Sequence, residues 1–205
     1  MTTLAERRRE LLDSMMKEAV YEGAVEVLTR YGLSGTTMDR VAAASGMAKG
    51  SLYNCFRNKR ELLEFVHDRA TTPLLDAVAE VVASSLNAAE KLTSILRIWR
   101  EYLVTHQAIF EFLINDQAAK RHLENTGQTA RDAGIRHIVT ILQQGVDDGV
   151  FRPVDTEAVA EMMQSAAIGM VEREFALGRL RPVDEAVETI SGIFLNGLSA
   201  GRNET

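Results

Sequence analysis

Five basic side chains, Arg40, Lys49, Arg57, Lys59 and Arg60, fall between Thr36 and Arg60, where Asp39 is the sole acid. Lysine and arginine at this density suit contacts with phosphate oxygens, which need positive charge and no catalytic partner. The stretch TTMDRVAAASGMAKGSLYNCFRNK, Thr36 to Lys59, also has the pattern needed to aim such charges. It predicts a short helix, a tight turn at Ser45-Gly46, and a second short helix over roughly residues 48–54. Ala42 is small enough for two helices to approach, and Gly46, four residues on, accepts a left-handed backbone. Met47 and Leu52 are apolar and clamp the second helix onto its support. Its other face is left free to enter a major groove, as in a helix-turn-helix.

Other chemistry is thinly represented. Glu64-x-x-His67 has the spacing used in carboxylate-bridged metal bundles, but it occurs once. His106, His122 and His137 lack carboxylates at matching helical offsets on both sides. There is no glycine-rich phosphate loop, zinc pattern or nucleophile elbow. An all-α enzyme or metal-binding helical bundle therefore stands only as the alternative reading, and no cofactor is expected.

The elements that must position the basic stretch follow from composition and periodicity. The chain has 205 residues, 46% hydrophobic and 25% charged, enough for a small head and a larger body. Three prolines and few β-branched runs argue against a sandwich or barrel. A single cysteine, Cys55, excludes an internal disulfide and points to a reducing compartment. No run approaches the ~20 apolar residues of a membrane span, and the N-terminal MTTLAERRRELLDS lacks the apolar core of a secretory signal. The net charge of -6 divides unevenly. Residues 1–60 hold 10 basic and 7 acidic residues, whereas residues 61–205 hold 13 and 22. A basic head on an acidic body concentrates phosphate attraction at one end. It also argues against a sequence-independent architectural protein, which needs basic charge over a wide surface.

Residues 4–31 predict one helix with Leu12, Met16, Val20, Ala24, Val27, Leu28 and Tyr31 on its apolar face, stopped by Gly32. Arg7-Arg8-Arg9 reads either as an arm toward neighbouring phosphates or, in the favoured reading, as a solvated extension beside Glu6 and Glu10. Thr36 or Thr37 caps the next helix, with Asp39 as capping partner of Thr36. Asn58 opens a fourth helix with Glu61 as its partner, and Pro73 is expected to kink or break it. Helical patterns continue through Leu74–Val82, Leu92–Leu103 and an aromatic-rich segment from Phe110 to Ile114. Residues 117–129 are polar and read as a flexible connection. A further helix carries Ile135 to Leu142 and ends at Asp147-Asp148-Gly149. Asp155, after Pro153, can cap the next helix, whose expected face is Val159, Met162, Met163, Ala166 and Met170. Arg181-Pro182-Val183-Asp184 repeats the same device before a last helix with Ile190, Ile193, Phe194, Gly197 and Leu198 on one side.

The run VYEGAVEVLTRYGLSGTTMDRVAAASGMAKGSLYNCFRNKRELLEFV resembles the DNA-binding head of the TetR family of bacterial transcriptional regulators. The resemblance rests on Ala24 and Leu28 before Gly32, on Thr37, Val41-Ala42 and Gly46, and on Lys49-Gly50-Ser51-Leu52-Tyr53. It continues through Phe56 and Asn58-Lys59 before Leu62-Leu63. GVFRPVD, residues 149–155, is similar to the loop before the penultimate helix of that family. The resemblance implies an all-α protein of about nine helices. A three-helix helix-turn-helix head over residues 1–57 would precede a larger bundle over residues 58–205 for ligand binding and dimerisation. It implies a cytoplasmic bacterial protein whose partners are operator DNA, a second copy of itself and a small-molecule effector. Lys49, Gly50, Ser51 and Tyr53 are expected near base edges and backbone, with Thr37 and Lys59 on phosphates.

Two positions depart from the family pattern. Ala48 stands where a Ser or Thr cap is common, and Cys55 where His or Tyr is common. Cys55 is read as a small buried residue behind the recognition helix, with a redox-sensing thiol as the alternative.

The body supplies the remaining expectations. Trp99, Tyr102, His106, Phe110, Met163, Met170 and Phe175 are candidates to wall a pocket for an apolar or aromatic effector, although such a stripe also reads as plain core. Met162, Ala166, Ile190, Phe194, Gly197 and Leu198 are candidates for the dimer interface, because a two-fold dimer doubles the contacts on a palindromic site.

Overall fold

The computed structural model describes residues 3–107, 109–110 and 124–199, with side chains omitted over residues 124–130. It is all-helical, with eight helices among the described residues. They are α1 (Leu4–Gly35), α2 (Met38–Ala44), α3 (Lys49–Cys55), α4 (Lys59–Ala83), α5 (Ala88–Thr105), α6 (Glu124–Asp147), α7 (Thr156–Ala176) and α8 (Val183–Leu198). The Phe112–Ile114 segment and the polar stretch up to residue 123 lie outside the described residues. From Glu124 the expected flexible connection is already helix. The chain divides into two compact units: Met1–Ala70 with Ala108–Thr126, and Thr71–Gln107 with Gly127–Thr205.

In the first unit, Thr3 and Glu6 form a reciprocal capping box at the start of α1. The hydrogen bonds from Thr3 hold the Glu6 carboxyl below its ordinary pKa. The buried stripe of α1 is Val20, Ala24, Val27 and Leu28. Leu12 and Met16, expected on that stripe, are exposed, Leu12 at 51%, so the first turns of α1 project without cover. Tyr31 is also exposed, under the guanidinium of Arg40, which lies 4.4 Å from its ring centre. Gly32 breaks the helix as expected, at φ 64°, and the chain resumes a final turn that buries Leu33.

Thr37, not Thr36, caps α2, accepting from the Arg40 N–H at 3.3 Å. Thr36 turns back instead and donates to the Gly32 carbonyl at 2.7 Å, so the expected Thr36–Asp39 box does not form. At the start of α4 the box is displaced by one residue. Asn58 Oδ1 accepts from the Glu61 N–H at 3.0 Å, while Glu61 Oε2 accepts from the Arg57 N–H at 2.7 Å. Pro73 does not break α4, which runs through it. Pro73 and Arg69, four residues earlier, are both exposed, so the carbonyl deprived of its donor is at the solvated side.

In the second unit, Asn87 and Glu90 cap α5 reciprocally. Gly149, at φ 69°, ends the turn after α6. Gly145 lets Phe151 fold over α6: a Cβ added there would lie 2.1 Å from the Phe151 ring. Phe151 pairs with Ser199 in an isolated antiparallel bridge, which fastens the end of α8 to the loop before α7. Asp155 caps α7, accepting from the Ala158 N–H at 3.0 Å. The second RPVD run works differently: Pro182 is the N-cap with no side-chain bond, and Asp184 reaches Arg97 of α5 at 2.7 Å. The buried face of α7 is Ala160, Met163, Ala167, Val171, Glu174 and Phe175. It is rotated from the expected one, so that Met162 and Ala166 point outward.

Candidate nucleic-acid interface

The reading unit is held from behind. Leu52 of α3 and Val41 of α2 are fully buried, and Ala42 of α2 and Phe56 just after α3 are buried with them. Phe56 packs on Phe65 of α4, ring centres 5.1 Å apart. Between the two short helices Gly46 takes φ 66°, and the Met47 N–H donates to the Ala42 carbonyl at 2.9 Å. The close approach that the sequence places at Ala42 also depends on Gly23 of α1. A Cβ at Gly23 would sit 2.5 Å from Ser45 Oγ and 2.7 Å from the Ser45 nitrogen. Glycine there was not singled out from the sequence, since nothing local marks a helical glycine as a packing site.

With Leu52 turned inward, Lys49, Gly50, Ser51 and Tyr53 lie on the exposed side of α3. Gly50 has nothing within 4 Å of a would-be Cβ, so the backbone there can be approached closely. Lys49 Nζ lies 5.9 Å from the Tyr53 ring centre, which brings these two together. The same ammonium is paired with Asp39 of α2, at 2.8 Å to Oδ1. Its hydrogen bond to Asp39, then the charge of that carboxylate, raises the Lys49 pKa above its ordinary value. Thr37 is occupied as a helix cap, with its hydroxyl hydrogen free to donate elsewhere. Lys59 is half-buried and donates to the Leu33 carbonyl, joining α4 to the end of α1. Ala48 makes no side-chain cap for α3, as expected. Cys55 is exposed rather than buried, because Leu52 and Phe56 already fill the space behind the helix.

The Glu64-x-x-His67 pair serves local structure. Glu64 binds Arg60 at 2.8 Å, and buried His67 has Nδ1 3.3 Å from Asp68 Oδ1. No helix among the described residues is long and apolar enough to cross a membrane.

The model of the bacterial regulatory proteins, tetR family, matches residues 20–66, from Val20 midway along α1 through the turn into α4. The match to the TetR family of transcriptional regulators thus covers the helix-turn-helix and the two helices that frame it. It is 27% identical over 192 residues to the HTH-type regulator YhgD of Bacillus subtilis, covering 90% of this chain and 97% of that one. It is 27% identical over 203 residues to the repressor KstR2 of Rhodococcus jostii, covering 96% and 93%. Among solved structures, SmeT of Stenotrophomonas maltophilia in complex with triclosan superposes with a TM-score of 0.80 at 18% identity, covering 91% of this chain and 93% of that one. These relatives are named as transcriptional regulators.

The residues expected at an effector pocket and at a dimer interface come after the head in the chain. Trp99 and Tyr102 of α5 and His106 at its C-cap are half-buried, with the Tyr102 and His106 rings 4.2 Å apart. Met163 and Phe175 are buried on α7 and Met170 is half-buried; Phe110 is buried within the first unit. Of the residues expected at a dimer interface, Met162, Ala166 and Gly197 are exposed and Phe194 is half-buried. Ile190 and Leu198 are 6% and 3% exposed, which commits them to the core of their own subunit. The outward apolar residue of α8 is instead Ile193, at 70%.

Proposed function

We propose that this chain represses transcription as a homodimer on a palindromic operator and is released by an apolar or aromatic small molecule. The observation that carries the reading is the outward face of α3: Lys49, Gly50, Ser51 and Tyr53 exposed on a helix whose opposite side is locked by Leu52. Residues 1–57 read DNA, and residues 58–205 bind the effector and the second subunit, in the bacterial cytoplasm. Lys49 and Tyr53 approach the groove, while Thr37 and Lys59 fix the register against phosphates. Dimerisation uses the outward sides of α7 and α8, with Met162, Ala166, Ile193, Phe194 and Gly197. Two heads fit successive major grooves only near ~34 Å apart or a multiple of it. An effector preferring another spacing releases DNA to the extent of its differential affinity. Repression follows the relative named a repressor, and an aromatic effector is supported by the triclosan complex of SmeT.

The test is binding to a short palindrome from the chain's own promoter region, with affinity falling steeply as salt rises. Tyr53→Ala weakens binding and leaves the dimer intact by light scattering. Equal affinity for random DNA of the same length overturns the reading.

A further inference from the structure

Tyr31, near the end of α1, is exposed and carries two guanidinium groups over its ring. That of Arg40 lies 4.4 Å from the ring centre and that of Arg30 5.3 Å. The Arg40 fork is also held at one tip, where Nη1 donates to the Gly35 carbonyl. Glycine keeps this seat open: a Cβ on Gly35 would lie 2.7 Å from Tyr31 Cβ and 3.3 Å from Arg40 Nη1. Other cations of the head are answered by acids: Lys17 by Asp13, Lys49 by Asp39, Arg60 by Glu64 and Arg69 by Glu18. No carboxylate pairs with Arg30 or Arg40 among the described residues. The cluster therefore holds two uncompensated positive charges on an exposed surface, one of them fixed in place. A contact that only capped the end of α1 would need the Nη1 bond alone; the ring sets the plane of the fork as well.

We infer that Arg40 is a pre-set clamp for a DNA backbone phosphate, with Tyr31 as its positioning residue and Arg30 adding charge beside it. The inference deepens the reading of α2 and α3 as a DNA-binding unit and rests on that reading. In a helix-turn-helix the first helix crosses the backbone while the second enters the groove. Asp39, the neighbour of Arg40 on α2, touches Lys49 of α3, so the outward sides of the two helices are continuous there. With Nη1 on the Gly35 carbonyl, the edge formed by Nε and Nη2 is left over. The two N–H bonds of that edge run parallel and fit two oxygens of one phosphodiester. A fork already held loses little freedom when it binds. The clamp fixes register and adds no sequence preference, because every nucleotide presents the same phosphate.

The full-length protein is titrated by fluorescence anisotropy onto the promoter palindrome and onto a random duplex of the same length, each across a salt series. Arg40→Gln keeps a donor for Gly35 and is expected to flatten the slope of log K against log salt by about one counterion for each head bound. It weakens both duplexes by the same factor, so the preference for the palindrome is kept. Tyr31→Leu leaves the charge and the slope in place and lowers affinity several-fold, because the fork must then be ordered on binding. Wild-type affinity in Tyr31→Leu removes the ring from the clamp. An unchanged slope in Arg40→Gln, or a loss on the palindrome alone, overturns the clamp. Should Arg40→Gln lose its fold by circular dichroism, Arg40→Lys decides: the wild-type slope with weaker binding supports the clamp, and wild-type affinity overturns it. Wild-type protein without preference for the palindrome overturns the regulator reading, while a flattened slope on both duplexes still supports the clamp. Absence of salt-dependent binding to either duplex overturns both.

Discussion

Lys49 Nζ lies 2.8 Å from Asp39 Oδ1, so the first base of the recognition helix is held by the preceding helix of the same motif. Both side chains are about three-fifths exposed, at 61% each, so the pair is screened and opens readily toward a phosphate. Asp39 should therefore compete with DNA phosphate for Lys49. Asp39→Asn should lower the operator Kd several-fold and steepen the salt dependence by about one counterion. Fluorescence anisotropy across a salt series reads both. The same change removes an acid from the first turn of α2 and should cost about 0.3–1 kcal/mol of stability. Affinity and stability therefore move in opposite directions.

Gly23 should tolerate no side chain. Gly23→Ala forces its methyl group against the Ser45 backbone and is expected to destabilise the head by about 1–3 kcal/mol. Urea unfolding measures the loss. An unchanged midpoint would mean that α1 and the turn separate without cost.

Ala48→Ser should supply the cap that α3 lacks, adding up to about 1 kcal/mol. Hydrogen exchange of the α3 amides should slow in proportion.

The two isoleucines of α8 should separate dimerisation from folding. Ile193→Glu, on an exposed position, should yield a monomer by light scattering with its melting temperature little changed in the subunit itself. Ile190→Ala, in the core, should cost about 2–5 kcal/mol of subunit stability. A dimer that survives Ile193→Glu would move the interface elsewhere.

His137 should make stability depend on mild acid. Burial, with repulsion from Arg136, holds its pKa below the ordinary imidazole value. The unfolded chain therefore takes up a proton near pH ~6.5 while the folded chain waits for a lower pH. Stability is lost as pH falls from that value to the folded pKa and then levels off. His137→Gln should remove this part of the slope, as seen in urea midpoints between about pH 7.5 and 5.

The head was largely legible because its constraints are local. A small residue, a positive-φ glycine and two apolar anchors suffice to place α2, α3 and their turn. Leu12 and Met16 misled because periodicity marks an apolar face without saying what covers it. On α7 the inward face includes Ala160 and Glu174, neither conspicuous as core, while Met162 is conspicuous and points outward. Arg100 is buried without being conspicuous as core for the same reason. A charged residue beside Trp99 reads as solvated until a partner 74 positions away in the chain is brought to it. The two RPVD runs show the limit most directly: identical residues cap one helix and bind another, according to which neighbour the fold supplies.

The exposure of Cys55 has a practical consequence. It is the chain's sole cysteine and stands at the last residue of α3, away from Lys49 and Gly50. A thiol-reactive fluorophore therefore attaches at one defined position without mutagenesis. Labelled and unlabelled subunits can be mixed, and energy transfer between dyes on the two copies of a dimer would report the spacing of the reading helices directly as effectors are added.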